Sequence, residues 1–113
     1  MYGNAVLLKI IMEFIEAPIF TRLVYDYMDD IEYSAFQIGL ASKPDAGDVI
    51  PGSGGVRKIR WSGKGKGKRG GLRIIYYWRN KQNEIWLLTV YAKNEAENIP
   101  ISILREIRKE IEK

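Results

Sequence analysis

The sequence predicts an α+β domain: a small, mostly antiparallel sheet in the order β-α-α-β-β-β-α, with helices packed on one face. Three observations predict it. The runs "VRKIRW", "LRIIYYWR" and "EIWLLTVYA" crowd β-branched and aromatic residues into three successive strands. The last two are separated only by "NKQN", a turn of hairpin length, so they pair antiparallel. Apolar residues at helical spacing fill the stretches before and after these strands. At 113 residues the chain makes one domain, 1–113.

Taken in order, "LLKIIMEFI" reads as a first strand. Met12 is an alternative start, which would make residues 1–11 an extension. Pro18 stands where a helix begins, and Ile19, Phe20, Leu23, Val24 and Tyr27 carry that helix to about Met28. "DDIEYSAFQIGLASK" predicts a second helix, with Asp29 or Asp30 as N-cap and Tyr33, Phe36 and Leu40 on one side; Pro44 ends it. "PDAGDVIPGSGG" is a Pro/Gly-rich connector without periodicity. After the three strands, "ISILREIRKEIEK" sets Leu104, Ile107 and Ile111 on one stripe of a C-terminal helix.

Composition narrows the function. The chain has no cysteine and no histidine, which excludes disulfides, thiolate metal sites and imidazole chemistry. No metal and no cofactor are expected, and the cytoplasm is the expected compartment. The most apolar stretch is interrupted by Lys9 and Glu13 and is too short to span a bilayer, so no membrane association is expected. Net charge is +4, but from Val49 to Asn83 there are ten Lys/Arg and no acid, which leaves −6 on the rest. A cationic middle on an acidic body is the electrostatic footprint of a nucleic-acid binder.

Within that middle, "SGKGKGKRGG" packs four cations and five glycines into ten residues. Gly65, Gly67 and Gly70 spell a formal G-x-G-x-x-G, yet the stretch leads into a strand and not into the helix a dinucleotide fold requires. A glycine-rich cationic loop between two strands can follow a phosphate chain instead, through Lys64, Lys66, Lys68 and Arg69. Strand parity adds a face. Lys58, Arg60, Arg73, Tyr77, Tyr91 and Lys93 fall on one side. Ile59, Trp61, Ile74, Tyr76, Trp78, Trp86, Leu88 and Val90 fall on the other, under the helices. Tyr77 and Tyr91 are then exposed platforms for stacking bases.

Such a face can cut RNA without histidine. Arginine is always charged and its fork suits a pentacovalent phosphorane. Lysine can move protons where neighbouring cations lower its pKa, and tyrosine by the same logic. Positioned proton transfer of this kind contributes roughly 10²–10⁴ in rate.

"GDVIPGSGGVRKIRW", "GKGKRGGLRIIYYW" and "LLTVYAKNE" resemble the signature blocks of HigB-like toxins in the RelE/ParE superfamily, over about residues 12–113. The resemblance implies a RelE-like fold and the toxin of a type II toxin–antitoxin pair, held by a cognate helix-turn-helix antitoxin. It implies an endoribonuclease (an mRNA interferase) that cuts mRNA on the ribosome without metal, leaves a 2′,3′-cyclic phosphate and blocks translation. The basic loop would then contact rRNA. Carried over by position, Lys58 and Arg60 take phosphate binding and proton transfer, and Arg73 stabilises the transition state. Lys93 and Asn94 fall where relatives place another cation, Asn94 standing in place of an Arg found in some. The C-terminal Tyr that some relatives use has no counterpart after Tyr91, so the general base is Tyr91, Tyr77 or a lysine. Two other readings stay open: a ParE-like gyrase poison, and a non-catalytic nucleic-acid-binding module.

Overall fold

The three predicted strands form the middle of a five-stranded mixed sheet in a computed structural model that describes residues 12–62, 71–95 and 99–113. In chain order the elements are β1 (Glu13–Glu16), α1 (Pro18–Tyr27), α2 (Asp30–Ser42), β2 (Asp48–Val49), β3 (Arg57–Trp61), β4 (Leu72–Arg79), β5 (Glu84–Ala92) and α3 (Ile101–Ile111). The strands lie in the order β1-β5-β4-β3-β2. Only β1 runs parallel to its neighbour, β5; the other three pairings are antiparallel. The part of the predicted first strand before Met12 lies outside the described residues.

Local signals explain most boundaries. Pro18 occupies the first position of α1, where its missing N–H costs nothing. The Asp29 carboxylate accepts the Glu32 N–H at 2.8 Å and caps α2, one residue before the acidic first turn. The β4–β5 hairpin closes through a single 3₁₀ turn at Asn80–Gln82, with Asn83 in the left-handed region at φ 55°. Among the described residues no helix is long and apolar enough to cross a membrane.

Two features depart from the sequence reading. The first is the disposition of the helices. Phe20, Val24, Tyr33, Phe36 and Leu40 of α1 and α2 pack with Leu72, Ile74, Tyr76, Ile85, Leu87 and Val90. Leu104 and Ile111 of α3 pack with Ile75, Tyr77, Leu88 and Tyr91. Neighbouring β4 residues point to opposite faces, so α3 covers the face opposite to α1 and α2, and the helices do not share one side. The C-terminal stripe of Leu104, Ile107 and Ile111 is right as a pattern, but a pattern does not name the face it covers.

The second is parity in β5. Ile75 pairs with Thr89 and Tyr76 with Leu87, which leaves Leu88 as an extra residue, a β-bulge. Before it, Ile85 and Leu87 face α1 and α2; after it, Val90 and Ala92 do. Trp86 and Leu88 consequently join Tyr77 and Tyr91 on the α3 side, against the strict alternation expected of them. The connector is also more structured than its composition suggests. It supplies the edge strand β2 and a buried turn, in which the Ser53 hydroxyl donates to the Ile50 carbonyl at 2.7 Å and accepts the Val56 N–H at 3.0 Å.

Candidate functional site

Pairing of β3 with β4 sets Arg60 directly across from Arg73, and Lys58 across from Ile75. On the far side of β4, Arg73 pairs with Tyr91 of β5. Paired residues share a sheet face, so Lys58, Arg60, Arg73 and Tyr91 lie on one side, as the strand parity predicts, but it is the side α3 packs against. Beyond the cover of α3, Lys58, Arg60 and Arg73 line one open cleft of about 270 Å³. Its other wall comes from the connector: Asp48, Val49, Ile50 and Pro51.

The connector is held there from both faces of the sheet. One Arg57 nitrogen, Nη1, donates to the Gly47 carbonyl at 2.7 Å and to the Asp45 carbonyl at 3.2 Å. The buried Tyr76 hydroxyl accepts the Gly47 N–H at 2.9 Å and donates to the Pro44 carbonyl at 2.6 Å. Arg57 and Tyr76 are cross-strand partners on the α1–α2 face, so both reach the connector from behind the cleft. From the front, Arg105 of α3 donates to the Gly52 carbonyl at 2.9 Å. Gly54, at φ +84°, lies against the Arg108 side chain, where an added Cβ would sit 3.2 Å from Cδ.

Tyr77 and Tyr91 are the main correction to the predicted site. Each is only 7% exposed, beneath α3, and neither offers a ring for stacking. The Tyr77 hydroxyl donates to the Glu112 carboxylate, and the Arg108 guanidinium lies 5.9 Å from the ring centroid. Burial, reinforced by the Glu112 hydrogen bond, pushes the Tyr77 hydroxyl above its ordinary value, so it stays protonated and committed to the helix. Glu112 also takes the Arg79 Nε at 3.2 Å, which fastens the end of α3 to the sheet. Tyr77 therefore belongs to the packing of α3.

The remaining predicted residues divide. Lys93 and Asn94 lie exposed in the turn after β5, away from the cleft lining; the Lys93 N–H donates to the Gly71 carbonyl at 3.3 Å, beside the start of β4. That turn is closed by Glu95, whose carboxylate accepts the Ala92 N–H at 2.8 Å and the Tyr27 hydroxyl at 2.5 Å. Lys64, Lys66, Lys68 and Arg69 lie outside the described residues. The glycine-rich motif that contains them is followed at once by β4, a strand, as its rejection as a dinucleotide site requires.

Asp48 is the member of the cleft that the sequence reading passed over. It is paired with Lys58 through a β2 only two residues long. Periodicity cannot detect a strand of that length. One signal was present in the chain: Asp48 is the last acid before the acid-free stretch that begins at Val49. No protein-family model matches the chain.

Proposed function

We propose that the protein is a RelE-like toxin that cuts mRNA on the ribosome by attack of a ribose 2′-hydroxyl on the adjacent phosphodiester. The observation that carries this reading is the convergence of Lys58, Arg60 and Arg73, from two adjacent strands, on one open cleft. Arg73 stands in the middle strand position of that row, between Arg60 and Tyr91, and serves as the group that stabilises the phosphorane. Lys58 and Arg60 hold the phosphate, and Lys58 takes the proton-transfer role that Tyr77, committed to Glu112, cannot fill. In the step itself the 2′-oxygen bonds to phosphorus, its proton passes to the base, the bond from phosphorus to the 5′-oxygen breaks, and that oxygen gains a proton. The products are a 2′,3′-cyclic phosphate and a 5′-hydroxyl, and no electron transfer is involved. The cationic loop at Lys64, Lys66, Lys68 and Arg69 guides rRNA and mRNA in, and a helix-turn-helix antitoxin restrains the toxin between uses.

The test is primer extension on mRNA from growing bacteria after induction of the wild type or of Arg73→Ala. Cuts inside translated codons that weaken by about 10²–10³ in the variant support the reading. Growth arrest with intact mRNA would replace it with a gyrase poison. Absence of arrest, with RNA binding retained, would replace it with a non-catalytic binding module.

A further inference from the structure

The cleft is not uniformly cationic. Asp48 stands on one of its walls, exposed, among three cations. Among the described residues its carboxylate makes no hydrogen bond or ion pair of its own, although Lys58 is its cross-strand neighbour. Beside it is an apolar ledge at Pro51, exposed and lining the same cleft. A site that only gripped phosphate would gain nothing from an anion and an apolar ledge at this position. A site that takes a whole nucleotide uses all three kinds of group. Phosphate goes to the cations, the flat face of a base to the ledge, and the hydrogen-bonding edge of that base to the carboxylate.

We infer that Asp48 selects the base of the nucleotide bound in the cleft, and that it selects guanine. A carboxylate only accepts hydrogen bonds, through two oxygens side by side. The Watson–Crick edge of guanine offers two adjacent donors, N1–H and the N2 amino group, which match those oxygens as a fork. Adenine and cytosine each offer one amino group beside an acceptor. Uracil offers one N–H flanked by two carbonyls that repel a carboxylate. The spacing fits a single nucleotide. Asp48 and Arg73 are separated by two strand intervals and two residues along the strand, about 12 Å between backbones, and both side chains reach inward from there. This assignment rests on the nucleic-acid reading of the cleft; it does not require that the bound RNA be cut.

The test is binding of guanosine, adenosine, cytidine and uridine 3′-monophosphates to the purified full chain, followed by NMR shifts or calorimetry. The wild type is expected to bind the guanosine compound about 5- to 150-fold more tightly than the uridine compound, the range for a two-bond base contact. Asp48→Asn keeps the shape but replaces one acceptor by a donor, and should abolish that preference. Arg73→Ala should weaken all four nucleotides together and leave their ranking intact. Equal affinities for the four, or no binding by any, overturn the assignment. So does a guanosine preference that survives in Asp48→Asn. A fall in cleavage of every sequence alike in Asp48→Asn, without change in binding preference, would make Asp48 a proton acceptor instead and also overturn it. Guanosine preference in a chain that cuts no mRNA would leave the assignment standing and remove the interferase reading alone.

Discussion

Tyr76→Phe should loosen one wall of the cleft from the opposite face of the sheet. The ring of Tyr76 is fully buried and phenylalanine refills it, so no cavity opens and only the hydroxyl is lost. That hydroxyl makes two bonds, at 2.9 Å from the Gly47 N–H and at 2.6 Å to the Pro44 carbonyl. Burial raises its pKa, so it is protonated and able to donate throughout the neutral range. Gly47 is buried, and its N–H left without an acceptor costs about 1–3 kcal/mol; the carbonyl of half-buried Pro44 adds about 1 kcal/mol as an ordinary lost bond. The sum is about 2–4 kcal/mol, a large fraction of the roughly 5–15 kcal/mol of a typical domain. With the usual entropy per residue, a chain of 113 residues loses about 4 °C of Tm per kcal/mol, so Tm should fall by about 8–16 °C. Urea unfolding should show a lower midpoint at unchanged slope, and the Gly47 amide should lose its protection from hydrogen exchange. A loss under about 0.5 kcal/mol with Gly47 still protected would refute the pin, because it would mean that the hydroxyl is not what holds the segment leading to Asp48.

Three further outcomes are expected. Hydrogen bonding from Tyr77, with help from Arg79, lowers the Glu112 pKa below 4.5; the unfolded chain therefore takes up that proton first as pH falls. The contribution is complete above pH 4.5 and is lost as pH drops through the lower folded value, and Glu112→Gln should remove that part of the acid dependence, read from urea midpoints across a pH series. Replacing Lys64, Lys66 and Lys68 together by Ala should reduce the slope of log affinity for single-stranded RNA against log salt by about 2, at about 0.7 per phosphate contact; an unchanged slope would remove the loop from the binding surface. Arg60→Thr should weaken RNA binding by removing one of the three cleft cations while changing stability by no more than about 0.5 kcal/mol, as expected at an exposed position, and denaturation and binding measured on one preparation would expose a failure of either half.

Legibility followed the length of each signal. Strands β4 and β5 were readable to the residue because eight and nine consecutive positions carry β-forming side chains around one short turn. The Asp29 cap was readable because capping is written in adjacent residues. What depends on distant parts of the chain was not readable. A single extra residue at Leu88 reverses the parity of half of β5, and nothing in "EIWLLTVYA" marks where it falls. The side that α3 covers is decided by contacts such as Arg105 with Gly52 and Glu112 with Tyr77, across 53 and 35 residues. Of the candidate site, Lys58, Arg60 and Arg73 were legible because their strands are long enough to fix a face. Tyr77 and Tyr91 were on the expected face but under a helix that the sequence reading had placed elsewhere. Asp48 was missed because a two-residue edge strand exists only through its partner.

The division of that one face explains how a small sheet keeps a cationic cleft. Ile75, Tyr77, Leu88 and Tyr91 are covered by α3 and contribute apolar burial, whereas Lys58 and Arg60, on the adjoining strand β3, lie outside that cover. Arg73 stands on the border, with buried Tyr91 on one side and exposed Arg60 on the other. Two arginines directly opposite on neighbouring strands repel, and packing alone favours a neutral or oppositely charged partner at one of the two positions. Local rules are broken most often where a site needs the arrangement more than the fold does. A phosphodiester between Arg60 and Arg73 would add an attraction to each of them. The cleft would then be stabilised by its own occupant. Inorganic phosphate or a short RNA should raise Tm in the wild type more than in Arg60→Thr.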